Sequence, residues 1–322
     1  MSLSRPGGNP SPSAKDKSLN EINAFLLDQA LSPASHQTYE KAYRLFQQFS
    51  RETLKCATAF PASVPNLLLF IAHCYKIGFA PTTTSTYISA IGYYHKLHQM
   101  PDLTTSFLIK KTLQWFHNNK KQIDKRLPIT THVLCRPLDS LSFINTSYFI
   151  RTMLKAMYLV AFHAFLRVGE IAATGKMSDN TLSVTDVTFI YSGSQLEGFE
   201  LRMSKYKHCK GDPKVLFVKA NHSAACPVAA LKEYLHLRRA SSGPVFGFMD
   251  GTAVSRTFFS TQLKLSLNWA GLAHARYKGH SFRIGAASSA AQQSFSEETI
   301  KLMGRWSPDA FKKYIRIPML EL

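Results

Sequence analysis

The sequence predicts a mainly α protein of two domains, of which the second is α+β and holds a small antiparallel sheet. The chain has 322 residues, which is enough for two domains that each bury a hydrophobic core. Apolar residues recur at helical spacing through both halves of the chain. Alternating β-branched and aromatic residues are confined to residues 182–219, so we expect the sheet there.

The chain is strongly basic. It carries 39 Lys and Arg against 20 Asp and Glu, a net charge of +19. Such an excess repels itself unless a polyanion neutralises it, and nucleic acid is the first candidate. A membrane surface is the alternative, but the sequence has no apolar run of transmembrane length and no signal peptide. We therefore expect a nucleic-acid partner and no membrane association.

The cysteines predict a reducing compartment, because their number is odd and their spacing is wide. They are Cys56, Cys74, Cys135, Cys209 and Cys226. His208 beside Cys209, and His222 near Cys226, match no established zinc spacing. We expect structural thiols and no metal site.

Residues 18–121 predict a compact, all-helical first domain. The preceding residues 1–17 are rich in Ser, Pro and Gly, and we expect them to be disordered. The predicted helices cover 18–31, the segment after Pro33, 64–75, 83–98 and 104–121. Aromatic residues line one face of the second helix and are assigned to the core, namely Tyr39, Tyr43, Phe46 and Phe49.

A charged segment, residues 122–128, is the predicted linker to the second domain, residues 129–322. The helices predicted there are 129–141, 148–165, 227–239, 254–272, 281–293, 296–303 and 309–317. The predicted strands are 182–191, 199–204 and 215–219. The helix at 148–165 is almost wholly apolar, so we expect it to be buried.

An arginine closes this apolar helix, within the sequence AFLRVGEIAAT. Burying Arg167 without a partner is costly, because an unpaired charge loses its hydration in a protein interior. Glu170, three positions on, is one partner and can account for Arg167 by itself. The alternative is that Glu170 orients Arg167 toward a phosphate, with guanidinium donors left to bind it.

A basic loop, SKYKHCKGDPK, lies between the second and third predicted strands. A charge run of this kind is usually a solvated loop, and the turn residues at 211–213 fit a hairpin. Lys205 stands at the end of the strand and is the lysine that we single out. Lys207 and Lys210 are close enough in sequence to take its place.

The C-terminal stretch GHSFRIGAASSAAQQSFSEETIKLMGRWSPDAFKKYIRI holds the remaining candidates. His280 and Arg283 are three positions apart and share one face of a predicted helix. Small residues from Gly285 onward allow that helix to pack closely on its neighbours. Trp306 and Tyr314 follow. Considered singly, each of these residues is more often a core residue or an ion-pair partner, so the hypothesis depends on their occurring together.

In sequence order the candidates are Arg167, Lys205, His280, Arg283, Trp306 and Tyr314. The segments around them, LRVGE, SK at a hairpin, GHSFR, GRW and YIR, resemble the signature boxes of the tyrosine recombinase (phage integrase-like) family. Within that family the chain looks most similar to recombinases of eukaryotic mobile elements of the Crypton, DIRS and Ngaro types. The resemblance extends to the first domain, where SPASHQTYEKAYRLFQQF and TYISAIGYYHKLH are similar to the core-binding domain.

The resemblance implies that the first domain is a helical core-binding (SAM-like) domain and the second a tyrosine recombinase catalytic domain. It implies that Tyr314 attacks a DNA phosphodiester and forms a 3′-phosphotyrosine link. Lys205 would protonate the departing 5′ oxygen, and Trp306 would brace the nucleophile. The step from Trp306 to Tyr314 is one position shorter than in the better-known bacterial members, so Arg305 is the alternative occupant of that place.

The residue types suit this chemistry. Charge grows on the non-bridging oxygens of a phosphodiester in its pentavalent transition state, and arginines aimed at them, here Arg167 and Arg283, supply electrostatic stabilisation. A tyrosine hydroxyl, with an ordinary pKa of about 10, needs a base or a positive environment. His280 and the arginines offer both. The covalent link conserves the energy of the ester, so no metal, nucleotide or other cofactor is expected.

These features predict a site-specific DNA recombinase or integrase that acts on double-stranded DNA in the nucleus, as a homotetramer in the synaptic complex. Two alternatives stay open at this point. One is a domesticated derivative that binds DNA without cutting it. The other is a type IB topoisomerase, which shares the chemistry.

Overall fold

The computed structural model describes residues 18–120, 124–174, 181–204, 206, 213–221, 223–306 and 310–316. The chain divides into two compact units between Asp124 and Lys125, inside the segment 122–128 that the sequence predicts as a linker. Helices dominate both units, and the sheet described in the second unit has three antiparallel strands. This architecture confirms the predicted fold class. In the described part of the chain, no helix combines the length and the hydropathy needed to cross a membrane.

The first unit is a set of packed α-helices. They are α1 Leu19–Gln29, α2 Pro33–Glu52, α3 Val64–Lys76, α4 Pro81–Leu97 and α5 Phe107–Asn119. A proline stands in the first turn of α2, α3 and α4, where its missing N–H removes no helical hydrogen bond. Ser32 and Ser63 cap α2 and α3 by accepting a backbone N–H of the first turn.

The aromatic residues of α2 contribute to the core of the first unit. Phe46 and Phe49 are buried, and the Phe46 ring meets Phe70 of α3 edge to face, with ring centroids 5.1 Å apart. Tyr39 and Tyr43 are only partly buried, against tyrosines of α4. The core assignment is therefore confirmed for the phenylalanines and only in part for the tyrosines.

The second unit is built around one buried helix. Its helices are α6 Thr131–Asp139, α7 Leu141–Ile144, α8 Tyr148–His163, α9 Val168–Ile171, α10 Pro227–Arg238, α11 Arg256–Trp269, α12 His280–Gln292 and α13 Glu297–Gly304. Helix α8 is buried along most of its length and packs against α10 and α12. Its burial confirms the prediction made from its apolar sequence. The end of α8 and the start of α12 therefore lie in one core.

The sheet consists of β1 Val187–Ser192, β2 Gln195–Met203 and β3 Lys214–Lys219, in that spatial order. Phe199 in the middle strand is fully buried and stands opposite Phe189 and Val218. The predicted first strand begins too early, because Val184–Asp186 form a 3-10 turn. Ser183 and Asp186 cap that turn reciprocally, which satisfies its N–H groups without a strand partner.

The α-helix predicted over 309–317 is wrong for its described residues. Ala310–Lys313 form a 3-10 turn, and the N–H of Tyr314 is bonded three residues back at 2.8 Å. The N–H of Arg316 then donates to the Ser288 hydroxyl at 2.8 Å instead of to a helical carbonyl. An acceptor on a neighbouring helix thus ends the turn directly after Tyr314.

Candidate active site

The structure brings most of the predicted site residues together at one end of α8. These residues are Arg167, His280, Arg283, Trp306 and Tyr314. They come from the corner between α8 and α9, the first turn of α12, and the chain after α13. Lys205, with the alternatives Lys207 and Lys210, lies outside the described residues and stays a prediction.

A histidine and a tyrosine form the reactive pair of this site. Nε2 of His280 lies 3.0 Å from the Tyr314 hydroxyl oxygen, and the ring centroids are 5.5 Å apart. A neutral imidazole offers one acceptor nitrogen, so His280 can accept the phenolic proton. Both side chains are partly exposed, so a ligand can approach the pair.

Ser288 of α12 fixes the backbone on both sides of the tyrosine side chain. Its hydroxyl donates to the carbonyl of Tyr314 at 3.3 Å and accepts the N–H of Arg316 at 2.8 Å. Ser288 is fully buried. Ser288 was not predicted as a site residue, because its only signal in the sequence is membership of the run of small residues in α12.

Arg283, Trp306 and Tyr314 form a stack. The Arg283 guanidinium carbon lies 4.3 Å from the Trp306 ring centroid and 5.6 Å from that of Tyr314. The two rings are 4.8 Å apart. Gly304 permits this stack, since a Cβ there would lie 1.8 Å from the Trp306 ring. The glycine of the GRW segment is therefore a packing requirement.

Arg283 lies inside the core of the second unit. It is fully buried, and its Nη1 donates to the carbonyl of Phe165 at 2.6 Å, while Nη2 donates to the carbonyl of Gly304. Buried carbonyls need donors, and these two face the core where Arg283 lies. The predicted pairing of Arg167 and Arg283 on one phosphate is thus not preformed, because Trp306 and Tyr314 cover Arg283.

Glu170 joins the other two arginines of the site. Its carboxylate accepts Nη1 of Arg167 at 3.1 Å and Nη2 of Arg305 at 2.8 Å. The side chain of Arg305 is 0% exposed, whereas that of Arg167 keeps 20% of its surface exposed. Glu170 therefore pairs with Arg167 and still leaves part of its side chain accessible. Arg167 can thus be both an ion-pair partner of Glu170 and a group that binds phosphate.

Trp306 and Arg305, the two candidates for the place beside the nucleophile, make different contacts. Arg305 is engaged by Glu170 and by weaker contacts of 3.4 Å and 3.5 Å to the carbonyls of Ala164 and Phe165. Trp306, in contrast, lies directly on the Tyr314 ring. The geometry therefore places Trp306, rather than Arg305, beside the candidate nucleophile.

The electrostatics of the site are those of clustered positive charge. Burial, followed by the neighbouring charges of Arg167 and Arg305, lowers the pKa of Arg283 to about 9. Burial also lowers the pKa of Arg305, and the carboxylate of Glu170 opposes that shift. With a pKa of about 9, Arg283 still carries its charge at neutral pH. Three arginines against one carboxylate leave a net positive site that favours an anion.

The backbone is strained at two places that hold these arginines. Phe165 and Arg305 have positive φ angles of 51° and 52°. For a residue with a Cβ this conformation costs about 1–2 kcal/mol. Such strain persists where surrounding contacts fix it, and it is common at functional sites. Here the Phe165 carbonyl is fixed by Arg283.

The described residues contain no cluster of three or more His, Cys, Asp or Glu side chains that could hold a metal ion. The four described cysteines, Cys56, Cys74, Cys135 and Cys226, are free thiols. Cys209, His208 and His222 lie outside the described part of the chain.

No protein-family model and no curated protein sequence matches this chain, whereas solved structures do. It is similar to a lambda integrase tetramer bound to a Holliday junction, with 13% identity, a TM-score of 0.60, and 92% of this chain and 76% of that chain covered. It is similar to the XerH site-specific recombinase in a post-cleavage complex with palindromic difH substrate, with 15% identity, a TM-score of 0.58, and 88% and 76% covered.

A third similar structure is the Tn1549 transposon integrase in complex with circular intermediate DNA. Its identity to this chain is 12%, its TM-score is 0.56, and the match covers 93% of this chain and 95% of that chain. At such identities the similarity shows a shared fold, and chemistry has to be inferred from the site itself. The fold of this chain is that of tyrosine recombinases.

Proposed function

We propose that the protein is a site-specific DNA recombinase or integrase that cuts and rejoins double-stranded DNA through a 3′-phosphotyrosine intermediate. The observation that carries the proposal is the 3.0 Å contact between His280 and the Tyr314 hydroxyl, beside a cluster of buried arginines. The similar structures include recombinases and integrases in DNA complexes, and the net charge of +19 suits a polyanionic substrate.

In the proposed reaction the Tyr314 oxygen attacks the phosphorus of a phosphodiester while His280 accepts the phenolic proton. The bond from phosphorus to the 5′ oxygen breaks, and that oxygen leaves with a proton, for which the resemblance implies Lys205. A 5′ hydroxyl and a 3′-phosphotyrosine result. Attack by a 5′ hydroxyl reverses the step, so the number of ester bonds is conserved and no external energy source is needed.

The arginines have distinct parts in this proposal. Arg167 is partly exposed and is oriented by Glu170, so it can bind a non-bridging oxygen directly. Arg283 supplies buried positive charge next to Tyr314, while its terminal nitrogens hold the carbonyls of Phe165 and Gly304. Trp306 holds the Tyr314 ring.

Covalent capture of DNA tests the proposal. Nicked duplexes of randomised sequence, in which the short fragment beyond the cleaved bond dissociates, trap the intermediate because rejoining is prevented. We expect a protein–DNA adduct that survives denaturation, and its sequenced DNA should share one motif. Tyr314→Phe should abolish the adduct, because it removes the attacking oxygen while keeping the ring. An adduct of equal yield in Tyr314→Phe contradicts the assignment of the nucleophile.

The same assay separates the alternatives. Retained binding of duplex DNA without any adduct identifies a binding protein that does not cut. Relaxation of supercoiled plasmid that lacks the captured motif, without strand exchange, identifies a type IB topoisomerase. Exchange between two duplexes that carry the motif supports recombination.

We further propose that the protein serves a eukaryotic mobile element, acts in the nucleus and assembles as a homotetramer on two DNA sites. The sequence resemblance supports the mobile element and the nucleus, and the tetrameric state of the similar lambda integrase complex supports the assembly. The mass of the complex formed with the captured motif tests the assembly. A particle of one or two protomers on paired sites contradicts the tetramer.

A further inference from the structure

A basic groove lies beside helix α11, outside the cluster of site residues. Its volume is about 490 Å³. The basic side chains that line it are Arg256, Lys264, His274 and Lys278. We refer to it as the α11 groove. The aliphatic stems of such side chains form walls while their charged ends face solvent.

The polar groups that line the α11 groove suit an anion. Hydroxyl groups of Thr257, Ser260 and Thr261 accompany the basic side chains, and none of the described residues that line the groove carries a carboxylate. Arg256, Ser260 and Lys264 follow at intervals of four residues, so they lie along one face of α11. Within the described residues none of the basic side chains of the groove has an ion-pair partner. The groove therefore presents cations and hydroxyl donors together.

The α11 groove adjoins the candidate active site. The guanidinium of Arg256 packs so closely on Gly169 that a Cβ at that glycine would lie 2.0 Å from Nη2. Gly169 is two residues from Arg167 in α9. On the other side, Gly279 lines the groove and directly precedes His280. One anionic chain can therefore occupy the groove and reach the site.

We propose that the α11 groove binds a second phosphate of the DNA backbone, next to the phosphate that Tyr314 attacks. This inference rests on the proposed function and adds the residues that fix the register of the strand. Arg256 and Lys264 are eight residues apart, which corresponds to about 12 Å along a helix. Successive phosphates of one strand are separated by about 3.4 Å of helix axis, so this span can follow a backbone.

The polar side chains of the groove are of the types that bind a DNA backbone. Four basic side chains and several hydroxyl groups line it beside its apolar surface. Lysine, arginine, serine and threonine are the side chains that contact phosphate and sugar in protein–DNA complexes. Such contacts position the protein without reading sequence.

Salt dependence of binding tests the inference. The protein and its variants Arg256→Gln and Lys264→Gln are titrated with intact duplex of random sequence over a range of salt concentrations. Each lost phosphate contact should reduce the slope of log affinity against log salt by about 0.9. Lys232→Gln is the matched control, because Lys232 is an exposed lysine of α10 that does not line the groove. Arg256→Lys should restore the slope.

The results that overturn the inference are specific. A wild-type slope in both groove variants, or an equal loss in Lys232→Gln, shows that the groove holds no phosphate of its own. Thermal stabilisation by inorganic phosphate that disappears in the groove variants, with the DNA slope unchanged, shows a site for free phosphate instead. Circular dichroism of the variants checks that these exposed substitutions leave the fold intact.

The covalent assay keeps the two proposals apart. No wild-type adduct together with reduced slopes in the groove variants refutes the recombinase chemistry and supports the groove. A wild-type adduct together with unchanged slopes supports the chemistry and refutes the groove. Absence of any DNA binding by the wild-type protein refutes both.

Discussion

Glu170 is the residue on which the arrangement of the site depends. It is 2% exposed and connects Arg167 and Arg305 through separate carboxylate oxygens. It also accepts the backbone N–H of Arg167 at 2.8 Å, which fixes the chain at the start of α9. A short side chain or a neutral one at this position leaves a buried guanidinium without a counter-charge.

We expect Glu170→Ala to lower the free energy of unfolding of the second unit by about 3–5 kcal/mol, as for other broken buried ion pairs. Urea denaturation measures this loss. The double variant Glu170→Gln with Arg305→Met tests whether an unpaired buried charge causes the loss. It removes both charges and should be more stable than Glu170→Gln alone. Additive losses contradict an origin in unpaired charge.

Ser288 is expected to position the nucleophile without touching the substrate. Ser288→Ala removes both hydrogen bonds around Tyr314, and a displacement of about 1 Å at a reacting group can cost about 100-fold in rate. We expect slower formation of the covalent adduct with unchanged affinity for DNA. Ser289→Ala is the control, because within the described residues Ser289 makes no such bond to the Tyr314 segment. Equal losses in both variants point to helix stability as the cause.

At the level of elements, the end of α8 meets β3 and α13. His163 lies in this region, near Val218 and Met303. Burial lowers the pKa of His163 to about 4 from its ordinary 6.5. The unfolded chain therefore binds a proton that the folded chain does not bind between these two pH values. By linkage, this histidine makes stability fall as the pH drops from 6.5 toward 4.

We expect His163→Phe to remove the loss of stability at low pH that His163 causes. Relative to wild type, the variant should gain stability as the pH is lowered from neutral toward about 4.5, because phenylalanine takes up no proton in either state. Urea denaturation at several pH values gives the comparison. His236→Gln, an exposed histidine on α10, serves as the control and should leave the profile unchanged. A His163→Phe profile parallel to wild type contradicts the expectation.

Helix α12 approaches the chain before α6 more closely than a side chain permits. A Cβ at Gly285 would lie 1.8 Å from the carbonyl oxygen of Ile129. The N–H of Ile129 also donates to the carbonyl of Ser281 at 2.9 Å. Close packing of the small residues of α12, which the sequence predicted, is therefore confirmed at Gly285.

At the level of the whole molecule, the net charge of +19 predicts how DNA affinity varies with salt. Log affinity should fall steeply and linearly with log salt, because each neutralised phosphate releases counterions. Equilibrium titration of a duplex at several salt concentrations measures the slope. A flat dependence contradicts a role of the basic surface in DNA binding.

Much of the fold was predictable because local patterns decide it. The buried α8 and the small sheet follow from apolar composition and from alternating β-branched residues. The turn around Tyr314 was predicted wrongly as a helix, since Ser288, distant in sequence, captures the N–H that a helix would use. The complete burial of Arg283 was not predicted, because its partners are backbone carbonyls that no sequence pattern marks.

The sequence by itself determined the mainly helical class, the basic character and the identity of the candidate residues, because composition and spacing are local properties. Only the tertiary structure decided that His280 meets Tyr314, that Trp306 rather than Arg305 lies on that ring, and that Glu170 joins two arginines. These contacts link segments far apart in the chain, and their geometry depends on how the helices pack.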